Sequence, residues 1–302
     1  MSRVLPPPGD ATGRVVVITG ASSGIGAAAA RAITTLGGTV AVVGRNAERT
    51  SRTAAQLGAE PFVADFGRLA EVRDLADRLL ERYPRIHVLA NNAGGINSRR
   101  ELSDDGFERT LQESVLGGFL LTSLLLPRLQ STAEEEPAGS VRILATSSAA
   151  NRPGRIRFDD LDVERRRWLG GWTAYCQAKL ANILITRELA RRLATTGVAA
   201  YAFHPGSVRT RFGASTVTVQ LTAAVTGGRY GISAEQGAEP LVRLATAPDV
   251  GSPTGTYFDR LRADGRTARQ ARDATVARRL WRAAEERTGL RPLPPGPAAS
   301  SP

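Results

Sequence analysis

The chain has 302 residues, 42% of them hydrophobic, and a formal net charge of +11. One cysteine (Cys176) and two histidines (His87, His204) rule out an internal disulfide and leave too few ligands for a conventional zinc site, so no metal is expected. No run reaches about eighteen uncharged apolar residues, and residues 1–8 lack the apolar core of a secretory signal, so a soluble cytoplasmic protein with no membrane partner is expected.

Basic residues are spread along the whole chain. The densest run, 260–291, is broken by Asp264, Asp273, Glu285 and Glu286, as a solvated helix face would be. No tract combines clustered basic residues with spaced aromatics, so nucleic acid is not an expected partner.

Short apolar runs alternate with helix-length segments. Residues 14–19 (RVVVIT), 39–44 (TVAVVG), 61–64, 86–91 (IHVLAN), 141–147 (VRILATS) and 198–203 (VAAYAF) read as buried strands, and 255–258 adds a seventh. Residues 24–36, 47–57, 69–82, 105–129, 173–196 and 234–246 read as helices. This order predicts an α/β fold in one domain, a doubly wound parallel sheet of about seven strands with helices on both faces. The expected boundaries are an N-terminal extension (1–13), the domain (14–290) and a disordered Pro/Ala/Ser tail (291–302). Residues 131–140, with Glu134-Glu135-Glu136-Pro137, read as an exposed acidic loop, and 207–233 as a mobile lid.

The stretch Gly20-Ala21-Ser22-Ser23-Gly24-Ile25-Gly26 closes the first strand and opens the first helix. Small residues there allow close backbone approach, and the helix start offers free N–H groups and a positive dipole to a pyrophosphate, so a dinucleotide is expected. After the second strand, Gly44-Arg45-Asn46 lacks the acidic residue that would hold a ribose 2′-hydroxyl. Arg45 suits a 2′-phosphate, which favours NADP (NADPH) over NAD, although an arginine at a strand end is also simply an exposed charge.

Lys179 is the chain's sole lysine, four residues after Tyr175 in Tyr175-Cys176-Gln177-Ala178-Lys179. At that spacing the two side chains share a helix face and form a candidate acid/base centre. An isolated pair of this kind is more often a solvated one, so its surroundings decide.

Those surroundings are Asn91-Asn92-Ala93-Gly94 after the fourth strand, Thr146-Ser147-Ser148 after the fifth and His204-Pro205-Gly206 after the sixth. With these motifs the chain resembles a short-chain dehydrogenase/reductase over residues 14–290. Asp105-Gly106-Phe107-Glu108, Ala174-Tyr175-Cys176-Gln177-Ala178-Lys179, Pro205-Gly206-Ser207-Val208-Arg209-Thr210, Phe158-Asp159-Asp160-Leu161 and Arg278-Arg279-Leu280-Trp281 are similar to its retinol-dehydrogenase-like branch.

The resemblance implies a Rossmann-type enzyme that interconverts an alcohol and a carbonyl on an apolar small molecule, with Tyr175 as general acid/base. An ammonium ~5 Å from the phenol, at an effective dielectric of ~20, would favour phenolate by about 3 kcal/mol, roughly two pKa units below the usual ~10. Lys179 would also hold the nicotinamide ribose, and Ser148 would donate to the substrate oxygen. Asn91, Ala93 and Gly94 would line the adenosine side, with Asp65 near the adenine. Pro205, Gly206, Val208 and Thr210 would meet the nicotinamide, and His204 would be structural.

Aligned from Asp105-Gly106-Phe107-Glu108, Ser114 takes the position of the asparagine that in the family holds a water behind the lysine. A hydroxyl is shorter and has one donor fewer. A catalytically weakened cofactor-binding protein with a sensing or scaffold role is therefore the alternative. The pocket would be shaped by Phe158, Trp168, Trp172 and Phe212, and a homodimer or homotetramer would assemble through helices 105–129 and 173–196.

Overall fold

The computed structural model describes residues 3–208 and 231–290. Seven parallel strands form one sheet in the order β3-β2-β1-β4-β5-β6-β7. They are β1 (Val15–Thr19), β2 (Thr39–Gly44), β3 (Glu60–Val63), β4 (Val88–Asn91), β5 (Arg142–Thr146), β6 (Ala199–His204) and β7 (Tyr257–Asp259). The strand order reverses between β1 and β4, where Val16 pairs with Val88 on one side and Thr39 pairs with Val15 on the other. That switch opens a crevice at the carboxyl ends of the central strands.

Alternation along β1 divides the core. Val16 and Ile18 face a layer built with α1 (Gly24–Thr35) and the helix Ala234–Thr246. Val17 faces a larger layer built from α3 (Leu69–Arg82), α5 (Gly117–Glu134), α6 (Trp172–Arg192) and the final helix Ala274–Thr288. We call these last two helices α7 (Ala234–Thr246) and α8 (Ala274–Thr288); α2 (Ala47–Leu57) lies between β2 and β3. Helix ends follow local chemistry. Asn46 accepts from Arg49 N at the start of α2, Ser233 and Gln236 form a reciprocal cap on α7, and Gly58 and Gly289 end α2 and α8 in the left-handed conformation.

The expected helix over 105–129 is corrected in two ways. Glu108 accepts from Thr110 N and Leu111 N, so helical structure begins at α4 (Arg109–Leu111). A π-helical segment, Gln112–Leu116, then joins α4 to α5. The expected acidic loop is also shorter: α5 runs to Glu134, because Thr132 and Ala133 are buried and Thr132 Oγ1 accepts from Ile86 N.

Part of α5 and of α6, the helices expected to form the subunit contact, packs against the final helix of the same chain. Trp281 of α8, 1% exposed, packs edge-on against Phe119 of α5 at 4.8 Å, with the Arg192 guanidinium of α6 4.5 Å from its ring. The basic run at the C-terminal end is thus only half a solvated face, since Leu280, Trp281 and Ala284 point into the core. Phe158 likewise packs beneath Arg279, 4.1 Å from its ring. The two motifs Asp105-Gly106-Phe107-Glu108 and Phe158-Asp159-Asp160-Leu161 meet in space: Asp162 accepts from Glu108 N and takes a paired bond from Arg287 of α8.

The N-terminal extension packs onto the domain, with Leu5 and Ala11 buried and Leu5 N donating to Leu261 O. Arg142, 1% exposed, has carbonyl partners only: it donates to Gly139 O, Leu244 O and Pro248 O, tying β5 to the end of α7. Among the described residues no helix is long and apolar enough to cross a membrane, and no cluster of His, Cys, Asp and Glu could hold a metal ion. The tail 291–302 and most of the proposed lid, 209–230, lie outside the described residues.

Candidate active site

A cavity of about 790 Å³ follows the carboxyl ends of β1, β2, β4, β5 and β6. At one end is the turn from β1 into α1. Gly20 sits at φ +69°, and a Cβ there would lie 3.0 Å from Ala93 Cα; a Cβ on Gly26 would lie 2.4 Å from Gly20 O. Only glycine lets these backbone segments approach so closely. Ser23 caps α1 with extended backbone but no side-chain hydrogen bond, and the first turn has no acidic residue. The N–H groups at Ser22, Ser23, Gly24 and Ile25 therefore border the cavity with a positive dipole end, a chemistry that fits a pyrophosphate.

The adenosine end departs from expectation. Arg45 lines the cavity, but its Nη1 is 3.1 Å from Glu113 Oε1 and 3.9 Å from Asp65 Oδ1. Glu113 also receives Arg109 Nε at 2.8 Å. The sequence gives little sign of Glu113, because its neighbours Arg45 and Asp65 are 68 and 48 residues away and only the crossovers bring them together. Arg49, one turn into α2, lines the same end. Asn91 does not line the cavity: its Nδ2 donates to Thr122 Oγ1 of α5, and the residue beside it, Asn92, borders the cavity with Ala93 and Gly94. Thr19 Oγ1 accepts from Asn92 N and Ala93 N, which pins this segment across the switch point.

At the other end Ser148, Tyr175 and Lys179 share the cavity wall. Ser148 follows β5, and the pair on α6 faces it because Ser147 Oγ donates to Lys179 O and Lys179 Nζ donates to Thr146 O at 3.0 Å. The ammonium lies 5.4 Å from the centre of the Tyr175 ring. The expected lowering of the phenol is reversed: burial pushes Tyr175 up to about 12, offset only in part by the hydrogen bond from Ser148. Burial also lowers Lys179 to about 8. Taking either group out of water favours its neutral form, and burial is the leading cause of both shifts.

Ser114 lies behind the wall instead of on it. Its Oγ is buried, with no hydrogen-bond partner among the described residues, 2.6 Å from where a Cβ on Gly94 would stand. Pro205, Gly206 and Val208 line the cavity beyond Lys179; Thr210 and Phe212 lie outside the described residues. His204 borders the same region, its imidazole pushed down by burial, and its Nδ1 accepts from Gly206 N at 3.4 Å. Of the expected pocket aromatics, Trp168 donates to Ser98 O, while Trp172 is 46% exposed with its ring 6.0 Å from that of Tyr175.

Residues 14–159 match the family described as short chain dehydrogenase. The chain is 44% identical to a putative daunorubicin C-13 ketoreductase from Streptomyces sp. (strain C5), over 94% of this chain and 95% of that protein. It is 36% identical to retinol dehydrogenase 13 from Homo sapiens, over 92% of this chain and 85% of that one. A crystal structure of a putative uncharacterized protein from Mycobacterium Paratuberculosis superimposes with a TM-score of 0.74 at 32% identity, covering 97% of this chain and all of the other.

Proposed function

Since the chain belongs to the short-chain dehydrogenase/reductase family, on its retinol-dehydrogenase-like side, and so is an oxidoreductase of alcohols and carbonyls that uses a nicotinamide dinucleotide, we propose that it is an NADPH-dependent reductase of bulky apolar ketones or aldehydes. The observation that carries this reading is the meeting of Ser148, Tyr175 and Lys179 on one wall of a dinucleotide-sized cavity.

When bound, the nicotinamide supplies the hydride. Tyr175, held protonated by a pKa near 12, is the acid that gives its proton to the carbonyl oxygen. Ser148, hydrogen-bonded to the phenol, holds that oxygen in reach and stabilises the charge that develops on it. Lys179, with one donor on Thr146 O, keeps two for the ribose hydroxyls and makes the departing proton's phenolate less costly. Arg45 just after β2 and Arg49 in α2, with no acidic residue at 44–46, support the 2′-phosphorylated dinucleotide. Trp172, exposed beside Tyr175, supports an apolar substrate frame, as does a relative named for a daunorubicin ketone.

The test is purified protein with NADPH and a panel of ketones and aldehydes. Turnover is expected, and Tyr175→Phe should lower it by about 10²- to 10⁴-fold while NADPH binding persists; undiminished turnover would overturn the role of Tyr175. Serine at position 114, where the family pattern has an asparagine, favours a second reading, a cofactor-binding protein with weakened chemistry and a sensing or scaffold role. Tight NADPH binding without turnover across the panel, unrescued by Ser114→Asn, would select it.

A further inference from the structure

Six charged side chains gather at the adenosine end: Arg45, Arg49, Asp65 and Glu113 line the cavity, Arg109 pairs with the two carboxylates among them, and Glu101 pairs with Arg109. Arg45 and Arg109 both reach Glu113 Oε1, at 3.1 and 2.8 Å, and both also approach Asp65, at 3.9 and 4.0 Å. Glu101 is the third carboxylate, 3.5 Å from Arg109. With Arg49, which lines the same end, three carboxylates stand against three guanidiniums, so this corner is balanced before any ligand arrives. Glu113 is the best shielded of the three, its side chain 13% exposed on the π-helical segment that borders the cavity. Arg109, four residues earlier, anchors it from behind, whereas Arg45 comes to it from across the sheet with a side chain 57% exposed.

This arrangement gives Glu113 opposite effects on two ligands. A ribose 2′-phosphate carries more than one negative charge and needs the Arg45 fork, so it must take the guanidinium from Glu113 and then sit near the carboxylate it displaced. A bare 2′-hydroxyl has no such conflict and can donate its proton to a carboxylate in the same place. We infer that Glu113 is a specificity-determining residue that competes with the 2′-phosphate for Arg45 and so narrows the preference for NADPH over NADH. The inference rests on the role given to Arg45 above and deepens it.

Glu113→Gln keeps the shape and an acceptor oxygen for both arginines while removing the charge. Dissociation constants for NADPH and NADH are measured by fluorescence titration without substrate, and for 2′,5′-ADP and 5′-AMP by calorimetry. The ratio of the paired constants from one preparation is insensitive to any misfolded fraction. The expected result is a shift of about tenfold toward the phosphorylated ligand in both pairs, the size of one negative charge removed ~8 Å from a phosphate of charge about −1.5 in a medium of effective dielectric ~40. An unchanged ratio, or a shift toward NADH, overturns the inference. Arg45→Gln separates the two claims. If it weakens NADPH selectively while Glu113→Gln leaves the ratio alone, only the role of Glu113 fails. If Arg45→Gln leaves NADPH binding untouched, the reading of Arg45 fails and this inference falls with it.

Discussion

Replacing Lys179 with methionine should make the cofactor-free protein more stable at neutral pH while removing its activity. The ammonium is 3% exposed and its pKa falls from 10.5 to about 8 because burial penalises the charge. A shift of that size corresponds to about 3 kcal/mol of differential stability. Methionine loses the bond to Thr146 O, worth about 1 kcal/mol, although Asn182 Nδ2 still donates to that carbonyl at 3.1 Å. A net gain of about 2 kcal/mol is therefore expected at pH 7.

The pH dependence follows from the direction of the shift. Between pH 8 and 10.5 the unfolded chain keeps the lysine proton and the folded chain releases it, so wild-type stability gains with rising pH in that window. The penalty is fully present below pH 8, and the gap between mutant and wild type should narrow by pH 10. Cys176 and Tyr175, both raised to about 12, are common to the two proteins and cancel in the difference. Urea unfolding followed by tryptophan fluorescence at pH 7 and pH 10 measures it. A mutant less stable than wild type at pH 7, or a gap that does not change with pH, would refute the argument that burial of an uncompensated ammonium dominates here.

Other substitutions probe the frame. Arg142→Ala strips the donors from three carbonyls and should lower the unfolding free energy by about 2–4 kcal/mol in urea. Gly94→Ala places a Cβ against Ser114 Oγ at φ +146°, so NADPH affinity measured by fluorescence should drop at least about tenfold, with about 1–3 kcal/mol lost in stability. Trp281→Ala should cost about 3–5 kcal/mol in urea unfolding.

Much of this molecule is local in origin. Continuous β-branched strands buried on both faces, separated by amphipathic helices, define a parallel sheet without reference to distant residues, and the glycines at 20 and 26 mark the phosphate end because a Cβ at either would crowd neighbouring backbone. Tyr175 and Lys179 were legible for the same reason: four residues on one helix share a face whatever surrounds them. What surrounds them was decided by the fold. Burial reversed the expected direction for the Tyr175 phenol, since desolvation depends on everything packed around α6 and not on the spacing of the pair. Asn91 turned toward Thr122 and Asn92 took its place, because a strand sends adjacent side chains to opposite faces. The charge of Glu113 reaches Arg45 only through the βαβ crossovers, and α8 closes over α5 and α6 after more than 80 intervening residues. The sequence alone determined most of the elements and the shared face of Tyr175 and Lys179; tertiary packing decided which charges are desolvated and which are paired, because these depend on neighbours distant in the chain.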